Sequence, residues 1–245
     1  MGTYQVALDN CKYLIAAGCS HFSGSEIEGP EKSLRTAYSL NRAVPGRVAE
    51  HFELNYINKA KPAGSNGYIY RTVIEQVQQW INNGRDPSEL FVLIGWSTDE
   101  RYEFTWEGQH WHWANGKDAS LIYNNGIGPD FTTWFKALQL YNTDFQFGAH
   151  KKLINILTLH EFLKSRNVKY IQLASCGKVD PSTWRDNKDI LHNFPYDTYF
   201  EPEDSFIDQY IETEEEHFTP WMHADEYLHN KYAEKLINYI ETNYE

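Results

Sequence analysis

The chain has 245 residues, 41% hydrophobic and 16% aromatic, with a net charge of -12 and a sequence pI of about 5.3, which fits one domain over 1–245 with a substantial core. A mean hydropathy of -0.62 and the lack of any apolar run of about 18 residues argue against a membrane-spanning helix. The acidic balance, densest in EPEDSFIDQYIETEEE (201–216), would repel a phosphate backbone and disfavours a nucleic-acid partner. At the N-terminus, MGTYQVALDNCKYLIAAG has no basic region and no small-residue cleavage site, so no signal peptide is expected. Cys11, Cys19 and Cys176 are odd in number and widely spaced, which supports neither a disulfide framework nor a zinc knuckle; a reduced, cytoplasmic setting is expected.

The first apolar run, YLIAA (13–17), is strand-like and stops at Gly18-Cys19-Ser20-His21. A second, FELNYI (52–57), ends at Asn58 and leads through KAKPAGSNGYIYR into a helix over 70–81, where Val73, Ile74, Val77, Trp80 and Ile81 share one stripe. A third, LFVLIG (90–95), ends in Gly95-Trp96-Ser97-Thr98. The stretch from 98 to about 147 is aromatic, Gly-rich and poorly periodic, too long for an idle connector. It reads either as an insertion that walls or lids a crevice, or as an excursion packed by its own tryptophans. A helix over 150–165 stacks Leu153, Ile156, Leu157 and Leu163, the strand VKYIQLA follows (168–174), and a last helix over 226–242 places Leu228, Tyr232, Leu236 and Ile240 four apart. Strands alternating with helices predict a three-layer α/β/α sandwich with a parallel sheet of four or five strands. Its reactive crevice is expected outside the C-terminal strand ends.

Small and polar residues collect where each strand stops, and together they suit serine nucleophilic chemistry. Ser20 supplies a hydroxyl at a strand end, and His223, just before the last helix, supplies an imidazole base. The N–H groups of Ser20 and Gly64 and the side chains of Asn66 and Ser97 are candidate donors to an oxyanion. His21, Trp96, Arg101 and Trp111 are candidate substrate contacts, Arg101 as a clamp for an anionic group and the tryptophans as a surface for sugar stacking. Cys19 beside His21 is a second candidate nucleophile, since a thiolate needs a cationic neighbour. His110 and His112 form an HxH pair with no further ligand at a suitable spacing, so packing or stacking is expected of them; neither a metal nor a cofactor is expected.

In their order these blocks resemble the SGNH (GDSL-like) hydrolase family, in a divergent, phage-like form. Gly18-Cys19-Ser20 resembles its Gly-Asp-Ser block with cysteine for aspartate, and Gly64, in the company of Asn66 and Arg71, resembles its second block. Gly95-Trp96-Ser97-Thr98 resembles its Gly-x-Asn-Asp block with serine for asparagine, and His223, ahead of His229 and an Ala-x-x-Leu helix, resembles its catalytic histidine. The resemblance implies that Ser20 attacks an acyl carbonyl with His223 as base, and that water then releases the acyl enzyme. The chain departs from the family at Pro220, where an Asp-x-x-His pattern needs an acid. That leaves a Ser20–His223 dyad, another carboxylate (Asp225 or Glu216), or a degenerate site. The expected function is a serine esterase acting on a small polar or carbohydrate-linked acyl group. An acyltransferase and a non-catalytic binding or structural protein are the alternatives. A small-molecule or carbohydrate ester is the expected partner, and neither nucleic acid nor a membrane.

Overall fold

In β1 (Tyr13–Ala17), Leu14 and Ala16 join the core on one side of a sheet and Ile15 and Ala17 the core on the other, all four buried. A strand apolar on both faces belongs in the middle of a covered parallel sheet. The computed structural model describes residues 8–29, 36–99, 101–106, 109–114, 145–177, 193–220 and 222–244. After β1 come α1 (Ala37–Arg42), α2 (Val44–His51), β2 (Asn55–Asn58), α3 (Asn66–Asn82), β3 (Leu90–Trp96), β4 (Arg101–Trp106), β5 (Gln109–Ala114), α4 (Phe145–Lys164), β6 (Lys169–Ala174), β7 (Tyr199–Phe200) and α5 (Glu226–Tyr244).

Five strands pair in parallel in the order β2-β1-β3-β6-β7, as the four predicted runs plus one short strand. The chain steps outward from β1 to β2 and then crosses back to β3, so the strand order reverses between β1 and β3. In parallel sheets of this kind, such a reversal point, at the C-terminal ends of the two strands, is where ligands bind. On one face, Val44, Val48 and Ala49 of α2 pack with Leu228, Tyr232, Leu236 and Ile240 of α5. On the other, Ile69, Val73, Val77 and Trp80 of α3 pack with Leu153, Ile156, Leu159 and Leu163 of α4.

One boundary shifts for a local reason. The second strand starts at Asn55 rather than at 52, because α2 runs to His51 and Glu53 takes a left-handed conformation (φ 53°) that ends the helix before extension begins. Pro45 and Gly46 stand inside α2, with the proline in its first turn, where its missing N–H costs nothing. Within the expected insertion, β4 and β5 form an antiparallel hairpin that pairs Tyr102 with Trp113, Phe104 with Trp111 and Trp106 with Gln109. The hairpin is tied to α3 by Arg71, whose Nη2 lies 2.7 Å from Glu103 Oε1. Residues 115–144 of that expected insertion lie outside the described residues.

Phe22 locks the strand ends together. A Cβ on Gly18 would stand 2.6 Å from Phe22 Cβ, and one on Gly95 would stand 2.7 Å from three of its ring carbons. Both glycines therefore serve the close approach of a buried ring over β1 and β3. Gly95→Ala is expected to destabilise the protein by about 1–3 kcal/mol through overpacking, read as a lower denaturant midpoint at unchanged m-value.

Candidate active site

Beyond β1 the chain turns tightly, and residues 18–26 are buried throughout. The Ser20 carbonyl accepts from Ser23 Oγ at 2.9 Å and from the N–H groups of Ser25 (3.0 Å) and Ser23 (3.2 Å), which fixes the turn around the serine. Asn58, at the end of β2, donates to the Phe22 carbonyl at 2.9 Å and ties the turn to the sheet. Glu26 closes the turn in a left-handed conformation (φ 66°) with its side chain 6% exposed. A buried carboxylate in that backbone region is costly unless its surroundings hold it there.

What holds it is the segment before α5. Glu26 Oε2 lies 3.1 Å from His223 Nδ1, at ion-pair distance although off the line of the N–H bond. The Thr219 hydroxyl donates to the same carboxylate oxygen and also accepts from the His223 backbone N–H at 3.2 Å. Phe218 and Ala224 form a β-bridge, and the Thr219 N–H donates to the His223 carbonyl at 2.9 Å. His223 is thus docked onto the turn that carries Ser20, and its carboxylate partner comes from that turn. Burial pushes its pKa below the ordinary imidazole value; the nearby His21 adds to this, while Glu26 opposes it. Burial therefore favours the neutral form of the ring.

Glu26 is the residue that sequence reasoning misses, and the two carboxylates it names instead are elsewhere. Asp225 is spoken for: Oδ2 lies 2.7 Å from His217 Nδ1, and Oδ1 accepts from the Leu228 N–H at 3.1 Å as the cap of α5. Glu216 is exposed and makes no hydrogen bond or ion pair with His223 among the described residues. His229 is buried and its Nδ1 accepts from the Val44 N–H at the start of α2, a structural role.

The oxyanion donors contract to one. Asn66 Oδ1 accepts from the Ser97 N–H at 2.8 Å, and its Nδ2 donates to the Ser97 and Thr98 carbonyls, so that amide fastens α3 to the end of β3. Ser97 is fully buried with its Oγ 3.7 Å from Cys176 Sγ. The Gly64 N–H donates to the Lys61 carbonyl. The Ser20 N–H donates to no backbone carbonyl among the described residues.

Of the four candidate substrate contacts, Trp96 is corrected outright. It is fully buried in the α3/α4 core, its Nε1 donating to Gln172 Oε1 at 2.9 Å, and cannot line a crevice. Trp96→Ala is expected to cost about 3–5 kcal/mol of stability, measured by denaturant unfolding, without a selective rise in KM. Trp111 stands in β5 opposite Phe104. His21 is buried, its ring 5.1 Å from that of His223 and 6.3 Å from Phe206. Arg101 turns inward, with a buried Nη1 that has no hydrogen-bond partner among the described residues and with its charge against Cys19 and Cys176. The two thiols meet at 3.6 Å, from the ends of β1 and β6. Burial raises the pKa of Cys19; the Cys19 contact and then the Arg101 charge lower that of Cys176, so Cys176 is the first of the pair to ionise. Burial and the Cys176 contact thus favour the protonated form of Cys19.

Among solved structures, the chain is similar to the psychrotrophic esterase EstA from Pseudoalteromonas sp., inhibited by monoethylphosphonate, with TM-score 0.50, 9% identity, and 94% of this chain and 98% of that one covered. It is also similar to an acetyl xylan esterase, Est2A, from the rumen bacterium Butyrivibrio proteoclasticus, with TM-score 0.52, 11% identity, and coverage of 94% of this chain and 64% of that one. At these identities the likeness is one of fold: the α/β sandwich is SGNH-like. No helix among the described residues is long and apolar enough to cross a membrane. The model of a family described as "Family of unknown function (DUF6071)" matches residues 28–211, which take in Gly64, Asn66, Ser97 and Arg101 and leave Ser20, Glu26 and His223 outside.

Proposed function

The chain belongs to the DUF6071 family, and for this member we propose a divergent SGNH-type serine esterase that removes a small acyl group from a polar or carbohydrate-linked alcohol in a reducing compartment. The observation that carries the reading is the buried Glu26 carboxylate against His223, supplied by the turn that carries Ser20. With Nδ1 facing Glu26, the other ring nitrogen of His223 is the one to take the Ser20 proton as Oγ attacks the acyl carbonyl. The carbonyl oxygen, now an oxyanion, is received by the Ser20 N–H. His223 returns the proton to the leaving alcohol, and the acyl enzyme forms. Water then repeats the sequence through the same base and frees the acid. Glu26 keeps the imidazole oriented and stabilises its cationic form, while Thr219 positions both groups.

The test is release of acetate from an O-acetylated xylo-oligosaccharide and turnover of p-nitrophenyl acetate by the purified chain. Turnover of either at a rate lost in His223→Ala supports the reading. A folded protein that turns over neither favours the second reading, a non-catalytic binding protein on the same fold. That second reading draws on the donors already committed to the backbone at Asn66 and Gly64.

A further inference from the structure

Behind the Ser20 turn, the fold brings together what the sequence keeps apart. Cys19 and His21 flank Ser20 at the end of β1, and Cys176 follows β6, separated from Cys19 by 157 positions. One ligand atom from each of Cys19, His21 and Cys176 lies within 4.8 Å of the others, and all three residues are buried. The sulfur–sulfur distance is 3.6 Å. Two thiolates on a tetrahedral zinc ion, each with a bond of about 2.3 Å, stand about 3.8 Å apart. His21 Nδ1 is a buried ring nitrogen with no hydrogen-bond partner among the described residues. The His21 ring, which brings one nitrogen to the two convergent sulfurs, thus carries a buried nitrogen without a hydrogen-bond partner among the described residues. The Ser97 hydroxyl, 3.7 Å from Cys176 Sγ, is placed to donate to that sulfur from outside, while the Ser175 hydroxyl, 3.1 Å from Cys19 Sγ, donates to the Trp96 carbonyl at 2.8 Å.

We propose that Cys19, His21 and Cys176 form a zinc-binding site that clamps the Ser20 turn to the end of β6. Two thiolates and an imidazole are a borderline-soft donor set that selects zinc over magnesium or calcium. Because Ser20 lies between two of the ligands, the ion fixes the backbone on both sides of it. Arg101 is the competing cation: a guanidinium paired with a Cys176 thiolate, and no metal, is the arrangement the test separates from this one. The proposal is independent of the esterase reading, since its readout is spectroscopic.

Reduced, chelator-treated protein is titrated with Co²⁺ and then Zn²⁺. One equivalent of Co²⁺ is expected to produce thiolate-to-cobalt charge transfer and the intense visible bands of a tetrahedral ion, both bleached by one equivalent of Zn²⁺. Zn²⁺ alone raises the melting temperature. Cys19→Ser and Cys176→Ser lose the charge-transfer band, while Cys11→Ser, which removes the distant third thiol, keeps it. His21→Gln, which leaves both thiols in place, weakens binding by more than the roughly 10–100-fold that outer-sphere changes cost. No cobalt spectrum from the folded wild type, or a spectrum that survives both cysteine substitutions, overturns the site. So does one unaffected by His21→Gln.

Discussion

Ser20→Ala is expected to lower kcat/KM for a short acyl ester by at least about 10⁴-fold, with the melting temperature and far-UV spectrum unchanged. Loss of a serine nucleophile removes the covalent route altogether, and only binding and oxyanion stabilisation remain. The substitution deletes one oxygen from a turn whose hydrogen bonds run through the Ser20 carbonyl and not its hydroxyl, so the fold has little reason to change. Steady-state kinetics on the purified variant check it. A residual rate within tenfold of wild type would move the chemistry away from Ser20.

Glu26→Gln carries the second large effect. The substitution is isosteric, keeps an acceptor for the Thr219 hydroxyl, and removes the negative charge that faces His223 Nδ1. Without it the imidazole is free to take the wrong tautomer, and its cationic form is left in a buried site without a counter-charge. The expected loss is about 10²–10⁴-fold in kcat, with KM within a few-fold of wild type and with partial recovery in Glu26→Asp. Asp225→Asn, which breaks the His217 pair and weakens the α5 cap, is expected to lower stability while leaving kcat near wild type. If Asp225→Asn costs more kcat than Glu26→Gln, the orienting carboxylate is misassigned.

The architecture was legible because apolar runs ending in small or polar residues are a strong signal for parallel strands. β1 matches its predicted span, and β3 and β6 fall within one residue of theirs. β7 was not legible, since two residues carry no periodicity. Neither were α1 and α2, the second of which carries Pro45 and Gly46, although a proline in the first turn of a helix breaks nothing. At the site, Ser20 and His223 could be named as candidates from their places at chain landmarks. Whether Asn66 and Ser97 offered donors was not, because residue type shows a capacity to donate and not which backbone group has already claimed it. Trp96 was readable in principle. It shares strand parity with Leu90, Val92 and Ile94, so extending the period-two pattern by one residue puts it in the core.

Glu26 escaped for a different reason. The family pattern looks for an acid close before the histidine, where this chain has Pro220, and the carboxylate that faces His223 comes from the opposite end of the chain. Thr219 and Glu26, joined by a hydrogen bond, are 193 positions apart. Only the topology, which folds α5 back beside the end of β1, brings them together. The same topology joins Cys19 to Cys176, which the sequence presents as unrelated thiols. Both pairings are long-range contacts at the β1 end of the sheet, the point where strand order reverses.

The central claim is that Ser20 is a nucleophile activated by His223. It is tested most directly by treating the folded protein with a fluorophosphonate and mapping the adduct by peptide mass spectrometry. The prediction is a single adduct on Ser20 in the wild type, and none in His223→Ala under the same conditions. A folded wild-type protein that stays unlabelled, or an adduct that maps to another residue, would contradict it.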